Sequence, residues 1–191
     1  PGGTRRHSLI LRGLSAGTKY YFQATSTDGF EQDGSFKTAP GPGDPFNFAV
    51  HGDLQGGLTP SWGRDVAEEI IQNEPDFVIH VGDLADPVYS ESWPTWEQFF
   101  TITTDELQRA VFMPVCGNHD DGPSGNADYW KVFNLPEKPS NGSCYSFDVG
   151  NTHFVALNSV TNFEREGQTN WLTRDLQRAA NNTNIAWIIP Y

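Results

Sequence analysis

The sequence predicts an α/β fold with a mostly parallel sheet, preceded by a short all-β segment. Three observations support this fold class. Apolar runs that end in glycine and a polar side chain alternate with helical patterns over residues 46–120, which is the order of a parallel sheet with crossover helices. The first forty residues carry β-rich runs separated by Gly, Ser and Asp. Two runs of alternating polarity after residue 143 predict an antiparallel hairpin.

The first forty residues predict three antiparallel strands. Their sequences are "SLILRGL" (8–14), "TKYYFQATST" (18–27) and "GSFKTAP" (34–40). Three strands make an incomplete sandwich. The stretch "APGPGDP" (39–45) marks a boundary, because its prolines and glycines neither continue a strand ladder nor begin a helix. We therefore expect an all-β segment over residues 1–40, a linker over 41–46 and an α/β domain over 47–191.

The α/β region predicts three parallel strands, each ending in glycine and polar residues. They are "FNFAVHGD" (46–53), "PDFVIHVGD" (75–83) and "VFMPVCGNHD" (111–120). Between the first two, Trp62, Val66 and Ile70 recur at helical spacing. "SWPTWEQFF" and "DELQRA" predict helices before the third strand. This order of elements predicts right-handed crossovers in a parallel sheet.

The remainder of the chain predicts a second group of elements. "CYSFDVG" (144–150) and "THFVALNS" (152–159) have the alternation of two paired strands. "QTNWLTRDLQRAA" (168–180) predicts a helix, and "IAWIIP" (185–190) predicts a last strand.

Composition narrows the classes of function. The 191 residues include 12 Lys and Arg against 24 Asp and Glu, for a formal net charge of −12. Such a balance argues against a basic surface that binds nucleic acid and favours metal cations as partners. No apolar run approaches the roughly 18 residues that span a bilayer.

Two sequons and two cysteines bear on the compartment. Asn141 and Asn181 each begin an N-x-[ST] sequence in a polar stretch, so we predict glycosylation and a secreted or extracellular protein. Chance sequons are the alternative. Cys116 and Cys144 are either two buried thiols or a single disulfide, which secretion would favour.

The ends of the three predicted strands carry Asp53, Asp83 and Asn118. In open parallel sheets, ligands bind beyond the carboxyl ends of the strands. Two carboxylates and an amide oxygen at that edge form an oxygen-rich group whose negative charge a metal ion would neutralise. Gly-Asp is also ordinary turn chemistry, and this is the alternative for either pair alone. Three such ends in chain order favour the metal site.

These motifs have a family resemblance. "GDLQ" (52–55), "GDLAD" (82–86) and "GNHD" (117–120) resemble the first three motifs of the calcineurin-like metallophosphoesterase superfamily. "LRGLSAGTKYYFQATSTDGFEQDGSFKTAP" (11–40) resembles the last strands of a fibronectin type III-like domain. With "YSFDVGNTHFVALNS" and "EGQTNWLTRDLQRA" as well, the chain is most similar to the purple acid phosphatase branch. The resemblance implies an α/β/β/α sandwich, incomplete in this chain.

The resemblance also implies an activity, hydrolysis of phosphate esters, with monoesters as the leading substrates. Two divalent or trivalent ions, of Fe, Mn, Zn or Mg, would be the cofactors, and a metal-bound hydroxide would attack phosphorus in line. By this analogy Asp53 ligates the first metal, Asp83 bridges both, and the Asn118 oxygen ligates the second. His119 would stabilise the phosphoryl oxygens or protonate the leaving group.

Two positions depart from the purple acid phosphatase pattern. Asp86 stands where that family has a tyrosine ligand, and Gln55 stands where it has glycine. We expect Asp86 to orient His119, as in the non-purple branches, and the Gln55 amide oxygen to serve as a metal ligand. The alternative is that Gln55 only forms a hydrogen bond within the loop.

The superfamily pattern has three further histidine ligands, but no histidine follows His153. We therefore expect the chain to end before those ligands and to be inactive alone. The rival hypothesis is a secreted binding or structural glycoprotein that keeps the fold without the activity. His51, His80 and His153 lie in apolar strands, so the expectation for each is a hydrogen-bonded core imidazole.

Overall fold

The structure is a computed structural model that describes residues 7–57, 62–86, 92–120, 127–136, 144–160 and 166–191. Its strands over these residues are β1 (Lys19–Thr25), β2 (Glu31–Lys37), β3 (Phe48–His51), β4 (Phe77–His80), β5 (Val111–Pro114), β6 (Tyr145–Val149), β7 (Thr152–Ala156) and β8 (Trp187–Pro190). Its α-helices there are α1 (Trp62–Gln72), α2 (Ser92–Ile102), α3 (Thr104–Arg109), α4 (Ala127–Val132) and α5 (Glu166–Ala180). None of the described helices is long and apolar enough to span a membrane.

Strands β1 and β2 form an antiparallel hairpin that pairs Lys19 with Lys37 and Thr25 with Glu31. The strand predicted at residues 8–14 is wrong, because these described residues form no strand. Leu9 and Ile10 are 83% and 74% exposed there. A β-prone sequence becomes a strand where neighbouring strands and buried surface receive its side chains, and this run has neither.

The first sheet is parallel, with β4 between β3 and β5. Phe48 lies opposite Phe77, and Phe77 lies opposite Val111. The predicted parallel pairing and the helices between the strands are confirmed. Within α1, the buried positions are Gly63 and Ala67. This buried face is rotated from the predicted one, and Trp62 is exposed.

The second sheet has the order β6-β7-β8. Strands β6 and β7 form the predicted hairpin, and β8 runs parallel to β7 after the crossover helix α5. Helix α5 is joined to β7 by a hydrogen bond of 2.8 Å between Asp175 Oδ2 and His153 Nε2. The chain end therefore returns to the sheet through a helix, as expected for a parallel pair.

The two sheets pack face to face. Phe77 and Met113 of the first sheet share a buried cluster with Tyr145 and Phe154 of the second. The rings of Phe77 and Phe154 meet edge to face, with centroids 5.2 Å apart. The layered α/β/β/α arrangement is confirmed, because helices cover the outer surface of this pair of sheets.

Helices α2 and α4 cover the other face of the first sheet. Trp96 and Phe99 of α2 and Tyr129 of α4 form a second buried cluster, together with Leu54 and Leu84. Leu54 and Leu84 each follow an aspartate at a strand end. This cluster therefore anchors the loops that carry the candidate ligands.

The predicted linker is an ordered turn. Asp44 accepts a hydrogen bond from Gly41 N at 3.1 Å through Oδ2, and its own amide donates to Gly41 O at 3.1 Å. At the end of β2, Lys37 forms an ion pair with Asp76. The Asp76 Oδ2 atom also accepts Asn47 N at 3.0 Å. These contacts attach the hairpin to the α/β region.

The free edge of β5 is covered by tyrosine hydroxyls. Tyr129 and Tyr145 each donate to the Pro114 carbonyl oxygen at 2.7 Å. The Tyr191 hydroxyl lies 3.0 Å from that of Tyr145 and donates to Met113 O at 3.3 Å. The tyrosine hydroxyls of Tyr129 and Tyr145 thus satisfy the Pro114 carbonyl, which points away from β4.

Candidate functional site

The candidate ligands Asp53 and Asp83 occupy equivalent positions after β3 and β4. Both have a left-handed backbone, with φ of 59° and 58°. A non-glycine residue rarely adopts this region, although aspartate tolerates it better than most. The loops are joined by hydrogen bonds of 3.1 Å from Asp53 N to Gly82 O and from Gln55 N to Asp83 O. The two aspartates are therefore held at one edge of the sheet, as predicted.

Glycine is needed where the strand-end loops meet. A Cβ atom on Gly117 would lie 2.1 Å from Asp83 Oδ1 and 2.2 Å from Asp83 N. On Gly82, which has φ of 107°, it would lie 2.8 Å from Gly117 Cα. These separations are below van der Waals contact, and part of the clash is with backbone. The glycines of the three motifs thus let the loops approach each other closely.

Gln55 lies in a single turn of 3-10 helix, Leu54–Gly57, directly after Asp53. In one amide orientation its Nε2 is 3.5 Å from Asp83 Oδ2. In the other, the nitrogen donates to Asp53 O at 3.2 Å and Asp83 O at 2.8 Å. We assign the second, because it forms two bonds of ordinary length. It also turns the amide oxygen toward the Asp83 carboxylate, which is the arrangement that a shared cation would favour.

His119 is positioned by both aspartates of the second motif. Its backbone amide donates to Asp83 Oδ1 at 2.9 Å. Its Nδ1 lies 3.2 Å from Asp86 Oδ1, and both side chains are partly exposed. The structure therefore brings together the predicted pair of His119 and Asp86. Asn118, on the same loop, is exposed at the sheet edge.

Asp120 has a different environment from its neighbours, since it is 1% exposed. Its Oδ1 accepts Ala85 N at 2.9 Å, and its Oδ2 accepts Gly117 N at 2.8 Å. Burial raises the pKa of this carboxyl to about 6, against the opposing effect of these amide hydrogen bonds. Asp120 therefore lies in a turn and accepts two backbone amides through its side chain.

Beneath the site lies a buried pair that the sequence did not indicate. Glu106 of α3 is fully buried, and its Oε1 lies 2.9 Å from His51 Nε2. His80 packs edge to face on His51, with ring centroids 4.5 Å apart. Burial, and then the proximity of His51, keep the pKa of His80 well below its ordinary value. Both histidines are core residues, as expected.

The remaining candidate residues are a histidine, two cysteines and the asparagines of the two sequons. His153 is a core imidazole between Asp148, at 2.5 Å, and Asp175, at 2.8 Å. Cys116 and Cys144 are both buried free thiols, so the structure does not contain the disulfide that the sequence allowed. Asn181 is exposed just after α5. Asn141 lies outside the described residues.

The candidate ligands have the type of donor atom that a hard cation prefers, but they are too few to complete two metal sites. Carboxylate oxygens from Asp53 and Asp83 and amide oxygens from Gln55 and Asn118 suit Mg²⁺, Mn²⁺ or Fe²⁺. Among the described residues, no three His, Cys, Asp or Glu side chains are arranged to hold a metal ion. A cation held here would therefore also need the amide oxygens, and four donors are fewer than two closed sites require.

Comparison with known proteins places this site in a family. A sequence model of the calcineurin-like phosphoesterase family matches residues 46–187, and the chain belongs to that family. Purple acid phosphatase 21 of Arabidopsis thaliana is 30% identical over 194 positions, which cover 96% of this chain and 42% of that protein. Human acid phosphatase type 7 is 27% identical, over 96% of this chain and 43% of its own length.

Solved structures show the same fold. A purple acid phosphatase from yellow lupin seeds, PPD1, aligns with a TM-score of 0.73 at 18% identity, over 94% of this chain and 37% of that one. PhoD aligns with a TM-score of 0.66 at 14% identity, over 93% of this chain and 48% of that one. The chain thus spans less than half the length of the relatives that it matches.

Proposed function

We propose that this chain is part of a metal-dependent phosphoester hydrolase, with phosphate monoesters as the leading substrates. The observation that carries the proposal is the interlocked edge of the first sheet. There, two aspartates in a strained backbone and the pair His119 and Asp86 converge. Strained residues of this kind persist where the surrounding structure holds them for a function. The acid phosphatase relatives support the same reaction class.

In this proposal Asp53 and Gln55 hold a first cation, Asp83 is shared, and Asn118 holds a second. When bound, the cations supply Lewis acidity and an acidified water at neutral pH. Asp83 suits the shared position because a bridging ligand should be anionic. Asn118 suits the outer position because a neutral donor does not add to the negative charge that repels phosphate.

His119 acts on the substrate rather than on a cation. With Asp86 3.2 Å from Nδ1, Nε2 is the ring nitrogen left to meet the ester. It stabilises charge on the phosphoryl oxygens or donates a proton to the leaving alkoxide. Asp86 fixes the orientation of the ring. The family tyrosine is replaced by Asp86, so this chain supplies no tyrosinate at that position.

The test uses the protein at its full natural length, with p-nitrophenyl phosphate as substrate and metal content measured by mass spectrometry. His119→Ala should lower turnover about 100-fold or more and leave metal content unchanged. Asp83→Ala should remove metal. His7→Ala, an exposed histidine in the all-β segment, is the control. Wild-type protein that binds the expected ions without hydrolysing esters would instead favour the binding glycoprotein.

Secretion, glycosylation at Asn141 and Asn181, and the fibronectin type III-like origin of the hairpin are further parts of this proposal. The exposed position of Asn181 supports accessibility of that sequon. A mass shift on deglycosylation of the protein from its natural source, lost in Asn181→Gln, would test it. No shift in that protein would contradict the glycosylation proposal.

A further inference from the structure

We propose that Asp120 is a positioning residue that joins the Asp83 loop to the Asn118 loop and thereby sets the spacing of their metal ligands. The proposal rests on the proposed function, and it assigns a role to a side chain that does not itself touch a cation or the substrate. It is carried by the hydrogen bonds and burial of one carboxylate.

The Asp120 carboxylate spans both loops. Its Oδ1 receives Ala85 N, which lies between the candidate ligand Asp83 and the candidate orienting residue Asp86. Its Oδ2 receives Gly117 N, directly before Asn118. One side chain therefore holds the backbone of both motifs, through hydrogen bonds of 2.9 Å and 2.8 Å.

The connection is reciprocal. Asp83, from the second motif, accepts the backbone amide of His119 from the third at 2.9 Å. In each loop, a carboxylate thus accepts a hydrogen bond from a backbone amide of the other loop. The absence of a side chain on Gly117 allows this contact, since a Cβ there would meet Asp83 N at 2.2 Å. The two loops have little freedom to move apart or closer.

Asp120 acts through its neighbours because it is not available as a ligand. Both oxygens already accept backbone amides, and the side chain is 1% exposed. Without the two hydrogen bonds that Asp120 accepts, the left-handed conformation of Asp83 would have less support. A non-glycine residue persists in such a conformation only where the surroundings hold it.

Only a carboxylate of this length satisfies both amides. Asparagine offers one acceptor oxygen, and its NH₂ group would face one of the two N–H donors. Glutamate adds a methylene to a fully buried position, where extra volume forces shifts in its neighbours. Asp120→Asn is therefore the sharpest probe, since it nearly preserves shape and removes one acceptor.

The first measurement uses metal-free, full-length protein and hydrogen exchange followed by mass spectrometry. In Asp120→Asn, peptides that contain Ala85 and Gly117 should exchange at least about 10-fold faster, because these amides lose a charged acceptor. Asp33→Asn, an exposed acid in β2, is the matched control and should leave these peptides unchanged. Unchanged exchange in Asp120→Asn would overturn the proposal.

The second measurement is Mn²⁺ binding by calorimetry, with the electron paramagnetic resonance spectrum of bound Mn²⁺. Asp120→Asn should weaken Mn²⁺ binding about 10- to 100-fold and alter the spectrum, as residues behind metal ligands typically do. Gly117→Ala, which disturbs the same contact without a change of charge, should do the same. Wild-type affinity and spectrum in both variants would refute the positioning role. A wild type that binds no Mn²⁺ would refute the proposed function, while the exchange result still decides whether Asp120 joins the loops.

Discussion

The carbonyl of Pro114 offers a quantitative test of how the free edge of β5 is stabilised. Tyr129 and Tyr145 both donate to this oxygen at 2.7 Å, and both side chains are buried. Tyr145→Phe or Tyr129→Phe alone removes one hydroxyl and leaves the carbonyl one partner. Each should lower the free energy of unfolding by about 1 kcal/mol, the net value of a neutral hydrogen bond.

The double variant should cost more than the sum of the two. Without either hydroxyl, the buried carbonyl loses both donors, and an unsatisfied buried acceptor costs about 1–3 kcal/mol. The coupling energy should therefore be about 1 kcal/mol or more, and the total loss about 3 kcal/mol. Denaturant unfolding of the four proteins of this cycle, followed by tryptophan fluorescence, measures these quantities.

Tyr21→Phe is the control, because that side chain is 79% exposed on β1. Its effect should stay within about 0.5 kcal/mol of the wild type. Additive losses from Tyr129→Phe and Tyr145→Phe, within about 0.3 kcal/mol, would show that water or backbone satisfies Pro114 and would refute the reasoning.

Acid should weaken the fold through His80, whose pKa burial and the neighbouring His51 hold well below 6.5. Below about pH 6.5 the unfolded chain binds a proton at His80 that the native chain does not bind. The free energy of unfolding should therefore decrease as the pH is lowered, by at most about 1.4 kcal/mol per pH unit. His80→Gln should reduce that slope between pH 7 and pH 5. Cys144, with a pKa raised to about 12 by burial and then by Asp175, should resist iodoacetamide at pH 8 until unfolded; labelling of the native protein would contradict this. Gln55→Ala should lower the metal content of the first site in the full-length protein. The full-length protein loaded with iron should be colourless, because Asp86 stands where a tyrosine ligand would give colour; a strong visible absorption band would contradict this. The 191 residues alone should hydrolyse little ester and bind metal weakly, and two tight sites by calorimetry would contradict this.

The parallel sheet and its ligand edge were predictable because their signals are local. Each strand is part of an apolar run that ends in glycine followed by a polar residue, although only β4 is buried along its whole length. Parallel pairing then brings the ends together without further information. The pair of His119 and Asp86 was predictable only through the family resemblance, since no spacing rule places residues of two loops at 3.2 Å.

Other features depend on tertiary contacts that periodicity does not encode. The run at residues 8–14 has β propensity but no strand beside it. Glu106 lies on the buried side of α3 with Thr103 and Ala110, at positions where an apolar residue is usual. An acidic residue on the buried face of a helix indicates a buried polar contact. The sequence does not reveal it here, because which face of this short helix is buried is known only from the structure. The left-handed backbone of Asp53 and Asp83 has no sequence signature beyond a preceding glycine.

Asp83 and Asp120 show how one residue type serves two purposes in adjacent loops. Asp83 is partly exposed, keeps an oxygen toward the sheet edge and uses the other for His119 N. Asp120 is buried and commits both oxygens to backbone amides. Because these hydrogen bonds lie within the chain, they restrict the positions of the candidate ligands without the help of a bound group. The strain at Asp53 and Asp83, about 1–3 kcal/mol each, is offset at least by the hydrogen bonds between the loops. If the proposed function holds, the spacing of the ligands would be set before a cation binds, and binding would need less rearrangement.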